Sequence, residues 1–257
     1  MTLLDTIRLG FADISLAQIA LVMVVTLFAS VVGGVAGYGT GALTPLVLVP
    51  LVGAAPVVPI ISISALLTNS GRVAAFRPFV SWRRALIVIV CGIPTCALGA
   101  YGYTLLTGKG AALLIGTMLI LSVPLRRMLK RRAIQLRDGG LAAGAAGYGL
   151  LVGGTTGSGV ILLSLLMASG LQGASVVATD AVITIAIGLV KMSVFGFAGV
   201  LTPQVIAFGL LIGAVAFPGG FIAKALVARM PVHIHTVMLD AVVIFGGVVM
   251  MVAAVRA

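Results

Sequence analysis

Apolar stretches separated by glycine, proline or clustered charge cover almost the whole chain. We interpret each stretch as a helical segment, which gives five segments before a basic linker and five after it. The predicted segments are 14–35, 40–52, 56–70, 85–106 and 110–125 in the first half, and 139–152, 160–169, 173–197, 203–227 and 232–254 in the second.

Two of these segments, 40–52 and 160–169, are too short to cross a bilayer squarely, because roughly 20 helical residues are needed to span the hydrocarbon core. They and the segments that follow them are either tilted helices or the arms of re-entrant hairpins held inside the protein. Either choice changes the number of crossings in each half by two and leaves its parity unchanged.

The composition places the chain in lipid. It is 61% hydrophobic and 8% charged, with a mean hydropathy of +1.30, whereas a soluble protein carries roughly a quarter charged residues. Its 34 glycines agree, because small residues allow membrane helices to approach closely. We therefore expect an all-α, multi-pass integral membrane protein.

The net charge of +11 comes from basic residues that cluster in two stretches, 72–84 and 126–137. Such clusters mark cytoplasmic loops and contacts with membrane lipids rather than a nucleic-acid site. Cys91 and Cys96 are not spaced to bridge on one helix, and no metal-ligand spacing occurs. We expect no metal and no cofactor.

A glycine motif occurs twice. The string GGVAGYG begins at Gly33, and GGTTGSG begins 120 residues later at Gly153. Glycine clusters break helices, and matched breaks in two halves of a membrane chain indicate a transporter's binding site. We therefore divide the chain into a first membrane repeat (1–125), a basic cytoplasmic linker (126–138) and a second membrane repeat (139–257).

The charge clusters also suggest how the two halves are oriented. If both basic stretches are cytoplasmic, the turns near Lys109 and 199–202 lie outside and each half has an odd number of crossings. The halves are then inverted repeats whose short or re-entrant helices meet near the midplane. Four crossings in each half would instead make the repeats parallel, and this alternative stays open.

The strings VGGVAGYGTG (32–41) and VGGTTGSG (152–159) resemble the paired glycine motifs of the TauE/SafE family. The leucine-rich segment around Pro50 and the small-residue helix with Gly92 and Gly99 resemble it too. Members of the family export sulfite and organosulfonates such as sulfoacetate. The resemblance implies a transporter in the bacterial inner membrane that exports a small sulfur-containing oxyanion.

Such an anion needs many hydrogen-bond donors and little steric bulk. Helix N-termini supply unpaired N–H groups and partial positive charge, and glycine lets these amides come close to the ligand. Two N-termini that face each other would form a two-sided cradle, to which nearby hydroxyl and amide groups contribute. The predicted residues of this cradle are Gly37, Tyr38, Gly39, Thr40, Gly41, Asn69, Thr155, Thr156, Gly157, Ser158 and Gly159.

Charged residues inside apolar segments are costly and mark functional sites in membrane proteins. We predict that Arg72 and Lys191 are the pair of cations that balance the charge of the substrate. Asp180 precedes Lys191 by eleven residues, roughly 16 Å along a helix, which is too far for a direct pair. It is either a proton-coupling carboxylate or a helix cap with Thr179.

Other function classes are less consistent with this chain. A membrane-embedded enzyme acting on a lipid phosphate would need a cluster of His, Asp, Glu or Cys, and the chain has five carboxylates and two histidines in all. We therefore expect no enzymatic activity. An anion channel, an importer of a small anion and a homo-oligomeric assembly remain compatible with the sequence.

Overall fold

The computed structural model describes residues 3–12, 14–36, 40–131 and 135–227, together with positions 244, 247, 248 and 252. The described residues form helices joined by turns and contain no strand, so the predicted all-α class is confirmed. The helices are α1 (Leu3–Gly10), α2 (Leu16–Ala36), α3 (Thr40–Val52), α4 (Val57–Phe76), α5 (Trp82–Thr104), α6 (Gly108–Arg131), α7 (Asp138–Gly154), α8 (Gly159–Ala168), α9 (Ala174–Phe197) and α10 (Pro203–Val227).

Nine of these helices correspond to predicted segments, and three features differ from the prediction. Helix α1 was not predicted. Helix α4 ends at Phe76 rather than at residue 70, and a 3₁₀ turn follows directly over Arg77–Phe79. Arg72 therefore lies inside a helix and not in a loop. Helix α6 continues to Arg131, six residues into the predicted linker. The predicted segment 232–254 lies almost entirely outside the described residues.

Apolar side chains face outward along the helices. Leu86, Leu98 and Phe197 are 62%, 65% and 94% exposed, which suits contact with lipid and not with water. Within the described residues, three helices are long and apolar enough to cross a membrane. They are Val57–Ala74, Trp82–Thr104 and Ala174–Phe197.

Helices α7 and α8 form a hairpin. The backbone N–H of Leu136, just before α7, donates a hydrogen bond of 2.7 Å to the carbonyl oxygen of Ala168 at the end of α8. The chain therefore turns back at the glycine motif and returns to the level at which α7 began. With ten residues, α8 is about 15 Å long and cannot span a hydrocarbon core of about 30 Å.

The two halves of the chain pack across each other. Helix α5 packs on α7, and the helices at the corresponding positions of the repeat, α10 and α2, also pack together. The α5–α7 contact is very close, because a methyl group added at Gly99 would overlap the carbonyl oxygen of Leu150, and one at Gly153 that of Cys96. Contact positions increase together along both helices, so α5 and α7 run parallel.

Helices α4 and α9, which correspond in the predicted repeat, pack against each other. Gly188 of α9 lies against Leu66 of α4. Nearer the start of α9, Asp180 interacts electrostatically with Arg72 of α4. A later position on α4 thus faces an earlier one on α9, so these two helices run in opposite directions.

Candidate functional site

A cavity of about 150 Å³ lies between the two halves. Because a water molecule occupies about 30 Å³ of liquid, the cavity has room for about five waters or for one small polyatomic ion. Eleven of the predicted site residues line it, while Gly37, Tyr38 and Gly39 lie outside the described residues. The eleven are Thr40, Gly41, Asn69, Arg72, Thr155, Thr156, Gly157, Ser158, Gly159, Asp180 and Lys191.

The N-termini of α3 and α8 both border this cavity, through Thr40 and Gly41 on one side and Ser158 and Gly159 on the other. A side chain added at Gly159 would meet nothing within 4 Å, so this position is open. Helix N-termini carry partial positive charge and unpaired N–H groups, so two of them at one cavity favour an anionic ligand.

The start of α3 is in direct contact with the turn between α7 and α8. Gly157 has a φ of +81°, a left-handed conformation that glycine adopts without steric cost. A methyl group at Gly41 would lie 3.3 Å from the backbone nitrogen of Gly157 and 3.2 Å from the Thr156 hydroxyl oxygen. Glycine at these positions therefore lets the start of α3 approach the backbone of the α7–α8 turn.

Lys191 holds the end of α7. Its Nζ donates hydrogen bonds of 2.8 Å to the carbonyl oxygen of Val152 and 3.3 Å to that of Thr155. These carbonyls belong to the C-terminal turn of α7, where the helix dipole favours a cation. An ammonium group has three N–H donors, so one remains for a ligand in the cavity.

Arg72 and Asp180 face the same cavity and interact electrostatically, but they form no ion pair within the described part of the chain. Their charged groups are therefore not in direct contact, and both border the cavity. Asp180 is 6% exposed, and so deep a charge is costly unless another charge or a hydrogen bond compensates it.

The structure excludes the alternative that Asp180 caps a helix. It lies in the interior of α9, whose N-cap is Gly173. The Thr179 hydroxyl oxygen instead accepts a hydrogen bond of 3.0 Å from the backbone N–H of Ser81, the N-cap of α5. With the capping role excluded, the position of the Asp180 carboxyl group in the cavity needs another explanation.

The predicted hydroxyl donors differ in what they have available. Thr155 donates to the carbonyl oxygen of Leu151 and Thr156 to that of Gly41. Ser158 is 2% exposed, and its Oγ has no hydrogen-bond partner among the described residues. Asn69 donates through Nδ2 to Ala65, which leaves its Oδ1 without a partner in the same part of the chain. Of Thr155, Thr156 and Ser158, only Ser158 has a hydroxyl without a partner in the described part of the chain, so it can donate to an anion.

Some lining residues were not predicted as site residues. Tyr148 of α7 and Thr184 of α9 line the cavity, and Tyr148 interacts electrostatically with Asp180. Helical spacing points to Thr184, because positions 180, 184, 188 and 191 recur on one face of a helix. The position of Tyr148 has no comparable signal in the sequence, since the packing of α7 on α5 decides which face of α7 turns inward.

Comparison of the chain with known proteins identifies one family. No curated protein and no solved structure matches the chain. A family model described as Sulfite exporter TauE/SafE matches residues 22–250, which include all five helices that line the cavity. The chain therefore belongs to the TauE/SafE family of sulfite exporters, a family of membrane transporters.

Proposed function

We propose that this protein is a secondary transporter that exports a small sulfur-containing oxyanion across the bacterial inner membrane. The candidate substrates are sulfite and short organosulfonates, including sulfoacetate. Family membership supports the transport class and the type of substrate. The cavity between the halves supports the site, because its residues suit an anion of this size.

The observation that carries the proposal is the convergence of two helix N-termini and two cations on one cavity. The starts of α3 and α8, Arg72 and Lys191 all border it. Backbone amides and positive side chains are the groups that bind sulfonate and sulfite oxygens best. Because the amides come from helices broken at the matched glycine motifs, the site has the construction of a transporter's substrate site.

Export of an anion requires no ATP hydrolysis. With the inside of the cell negative, an anion that moves outward gains about 2.3 kcal/mol per charge for each 100 mV. The sequence contains no phosphate-binding loop of the GxxxxGK[ST] type. The membrane potential and the gradient of the substrate are sufficient driving forces.

We propose further that the halves, residues 1–125 and 139–257, are inverted repeats. Corresponding helices α4 and α9 run in opposite directions, and the reciprocal pairs α5–α7 and α10–α2 suit a two-fold axis between the halves. In this arrangement α2–α3 enters from the outside and α7–α8 from the cytoplasm. The starts of α3 and α8 meet at the cavity, and three predicted segments of each half cross the membrane, the last of them being 232–254.

The test is flux of sulfite, methanesulfonate and sulfoacetate into proteoliposomes that contain the purified protein. We expect saturable uptake of at least one of them and faster uptake when the same anion is preloaded, because counterflow is a property of carriers. Protein-free liposomes and liposomes with Lys191→Met are the controls. Absence of protein-dependent flux for all three anions would contradict the proposed function.

The same assay tests the first of two alternatives, and the direction of transport tests the second. An anion channel would give flux that does not saturate and shows no counterflow. An importer would use the same cavity, and only flux measured against known sidedness and potential distinguishes it. No observation on the described residues favours a membrane-embedded enzyme over these transport functions.

A further inference from the structure

The cavity contains an acidic side chain although its other features suit an anion. Among the described residues that line it, three carry a formal charge, namely Arg72, Lys191 and Asp180. A carboxylate inside an anion site opposes the binding of the ligand, so its presence needs a reason. Asp180 makes no ion pair in this part of the chain, and a purely structural role would require one or a hydrogen bond.

With all three side chains ionised, their charges sum to one positive unit. In a region of low dielectric constant, a bound ligand is stabilised most when its charge balances that of its surroundings. A singly charged anion leaves the loaded cavity neutral. A doubly charged anion leaves one negative charge uncompensated, at a depth where even one charge costs several kcal/mol.

A second acceptor points in the same direction. The Oδ1 of Asn69 is buried and has no hydrogen-bond donor in the described part of the chain. It lines the same cavity as Asp180. Both the amide oxygen and the carboxylate are acceptors, so they repel a ligand that has oxyanion groups on every side. They favour a ligand that turns a protonated oxygen or an apolar group towards them.

We propose, on the basis of the proposed function, that Asp180 makes the cavity selective for singly charged oxyanions. The species carried are then hydrogensulfite, in which one oxygen is protonated, and sulfonates with a single negative charge. Sulfoacetate, which carries a carboxylate in addition to its sulfonate, is disfavoured. Asp180 is in this view a specificity-determining residue.

Two probes separate charge from shape. Methanesulfonate and sulfate are both tetrahedral at sulfur and similar in size, and near neutral pH they carry one and two negative charges. Initial rates of uptake of each, at several concentrations, are compared in proteoliposomes with the membrane potential clamped to zero by a potassium ionophore. The clamp removes the effect of the ligand's charge on the driving force.

We expect the wild type to transport methanesulfonate more efficiently than sulfate. In Asp180→Asn, which removes the charge and nearly keeps the shape, the ratio of sulfate to methanesulfonate should rise roughly tenfold to a hundredfold. That is the size expected for the removal of a unit charge several ångströms away at an effective dielectric constant of about 20. Asp180→Glu should keep the wild-type preference, and so should Asp138→Asn, which removes a negative charge that lies on Arg83 and Arg84 away from the cavity.

The outcomes distinguish this inference from the proposed function. If the wild type transports methanesulfonate and Asp180→Asn leaves the ratio unchanged, charge selection by Asp180 is wrong while the transporter assignment stands. A wild type that prefers sulfate contradicts the inference without any variant, which covers the case in which Asp180→Asn does not fold. If neither probe nor sulfite is transported, both proposals fail.

Discussion

The Thr156 hydroxyl donates a hydrogen bond of 2.7 Å to the carbonyl oxygen of Gly41, across the boundary between the two halves. In a regular helix this carbonyl would accept from the backbone N–H four residues later. That residue is Pro45, which has no N–H. The second half of the chain thus supplies the donor that the first half lacks, and this contact fixes the start of α3 at the cavity.

The relationship predicts a coupling between two substitutions. Thr156→Val keeps the shape and removes the donor, so it should lower the free energy of unfolding by about 1–3 kcal/mol, the cost of leaving a buried acceptor unpaired. Pro45→Ala gives Gly41 its missing donor. In that background Thr156→Val should cost clearly less, and thermal unfolding of the four proteins in detergent measures the difference.

Thr156→Ser serves as the control for this cycle, because serine keeps the hydroxyl group. Equal costs of Thr156→Val with and without Pro45 would mean that the two positions are independent. The hydrogen bond would then be incidental to the position of α3.

Much of this site could be predicted because the repeat identifies it. The second glycine motif located the break between α7 and α8, and the structure gives helix α3 with the predicted limits, Thr40–Val52. Since matched breaks in a two-fold arrangement meet at its centre, residues far apart in sequence could be assigned to one cavity. Lys191 and Asp180 followed because buried charges in apolar helices are rare.

The hydrogen-bond partners could not be predicted. Thr155 and Thr156 appear in the sequence as equivalent hydroxyl donors, yet each is committed to a backbone carbonyl. Which donor stays free depends on contacts between distant segments, and these do not follow from composition or periodicity. Arg72 was placed at a loop because charge marks loops in membrane proteins, whereas helix α4 continues beyond it.

We expect Lys191 to link the stability of the α7 terminus with the binding of the anion. Lys191→Met keeps the length of the side chain and removes the charge and both hydrogen bonds to α7. Binding of methanesulfonate should weaken roughly tenfold to a hundredfold, as expected for a charged hydrogen bond worth about 1.5–3 kcal/mol. The measurement is the concentration dependence of uptake, with Lys109→Met at the exposed start of α6 as the matched control. Unchanged affinity in Lys191→Met would assign Lys191 to the structure of α7 alone.

Gly157 and Gly159 should respond differently to the same substitution. Alanine at Gly157 must adopt a φ of +81°, which costs about 1–2 kcal/mol for a residue with a side chain. Alanine at Gly159 meets nothing within 4 Å and occupies space in the cavity. We therefore expect Gly157→Ala to lower the unfolding temperature and Gly159→Ala to leave it unchanged.

The effect of Gly159→Ala on transport should depend on the length of the ligand. Gly159→Ala should reduce uptake of ethanesulfonate more than that of methanesulfonate, because the added methyl group shortens the space for a longer ligand of the same charge. Gly147→Ala is the control, since Gly147 is exposed on α7 and also has open space around it. An equal reduction for both sulfonates would place Gly159 outside the space that the ligand occupies.

The re-entrant hairpin can be tested by the side of the membrane on which residues are accessible. Because the end of α8 is hydrogen-bonded to the start of α7, single cysteines at Gly139 and Gln172 should both be on the cytoplasmic side. Cysteines at Lys109 and Thr202 should be on the outer side in an inverted arrangement of the halves. Labelling intact cells with a membrane-impermeant maleimide, in a background with Cys91 and Cys96 replaced by alanine, should therefore modify the second pair and not the first.

Labelling of Gln172 but not of Gly139 would mean that α7 and α8 together cross the membrane, which would contradict the hairpin. Labelling on opposite sides for Lys109 and Thr202 would require α7–α8 to cross the membrane once between α6 and α9, and would therefore contradict the hairpin as well as the inverted repeat.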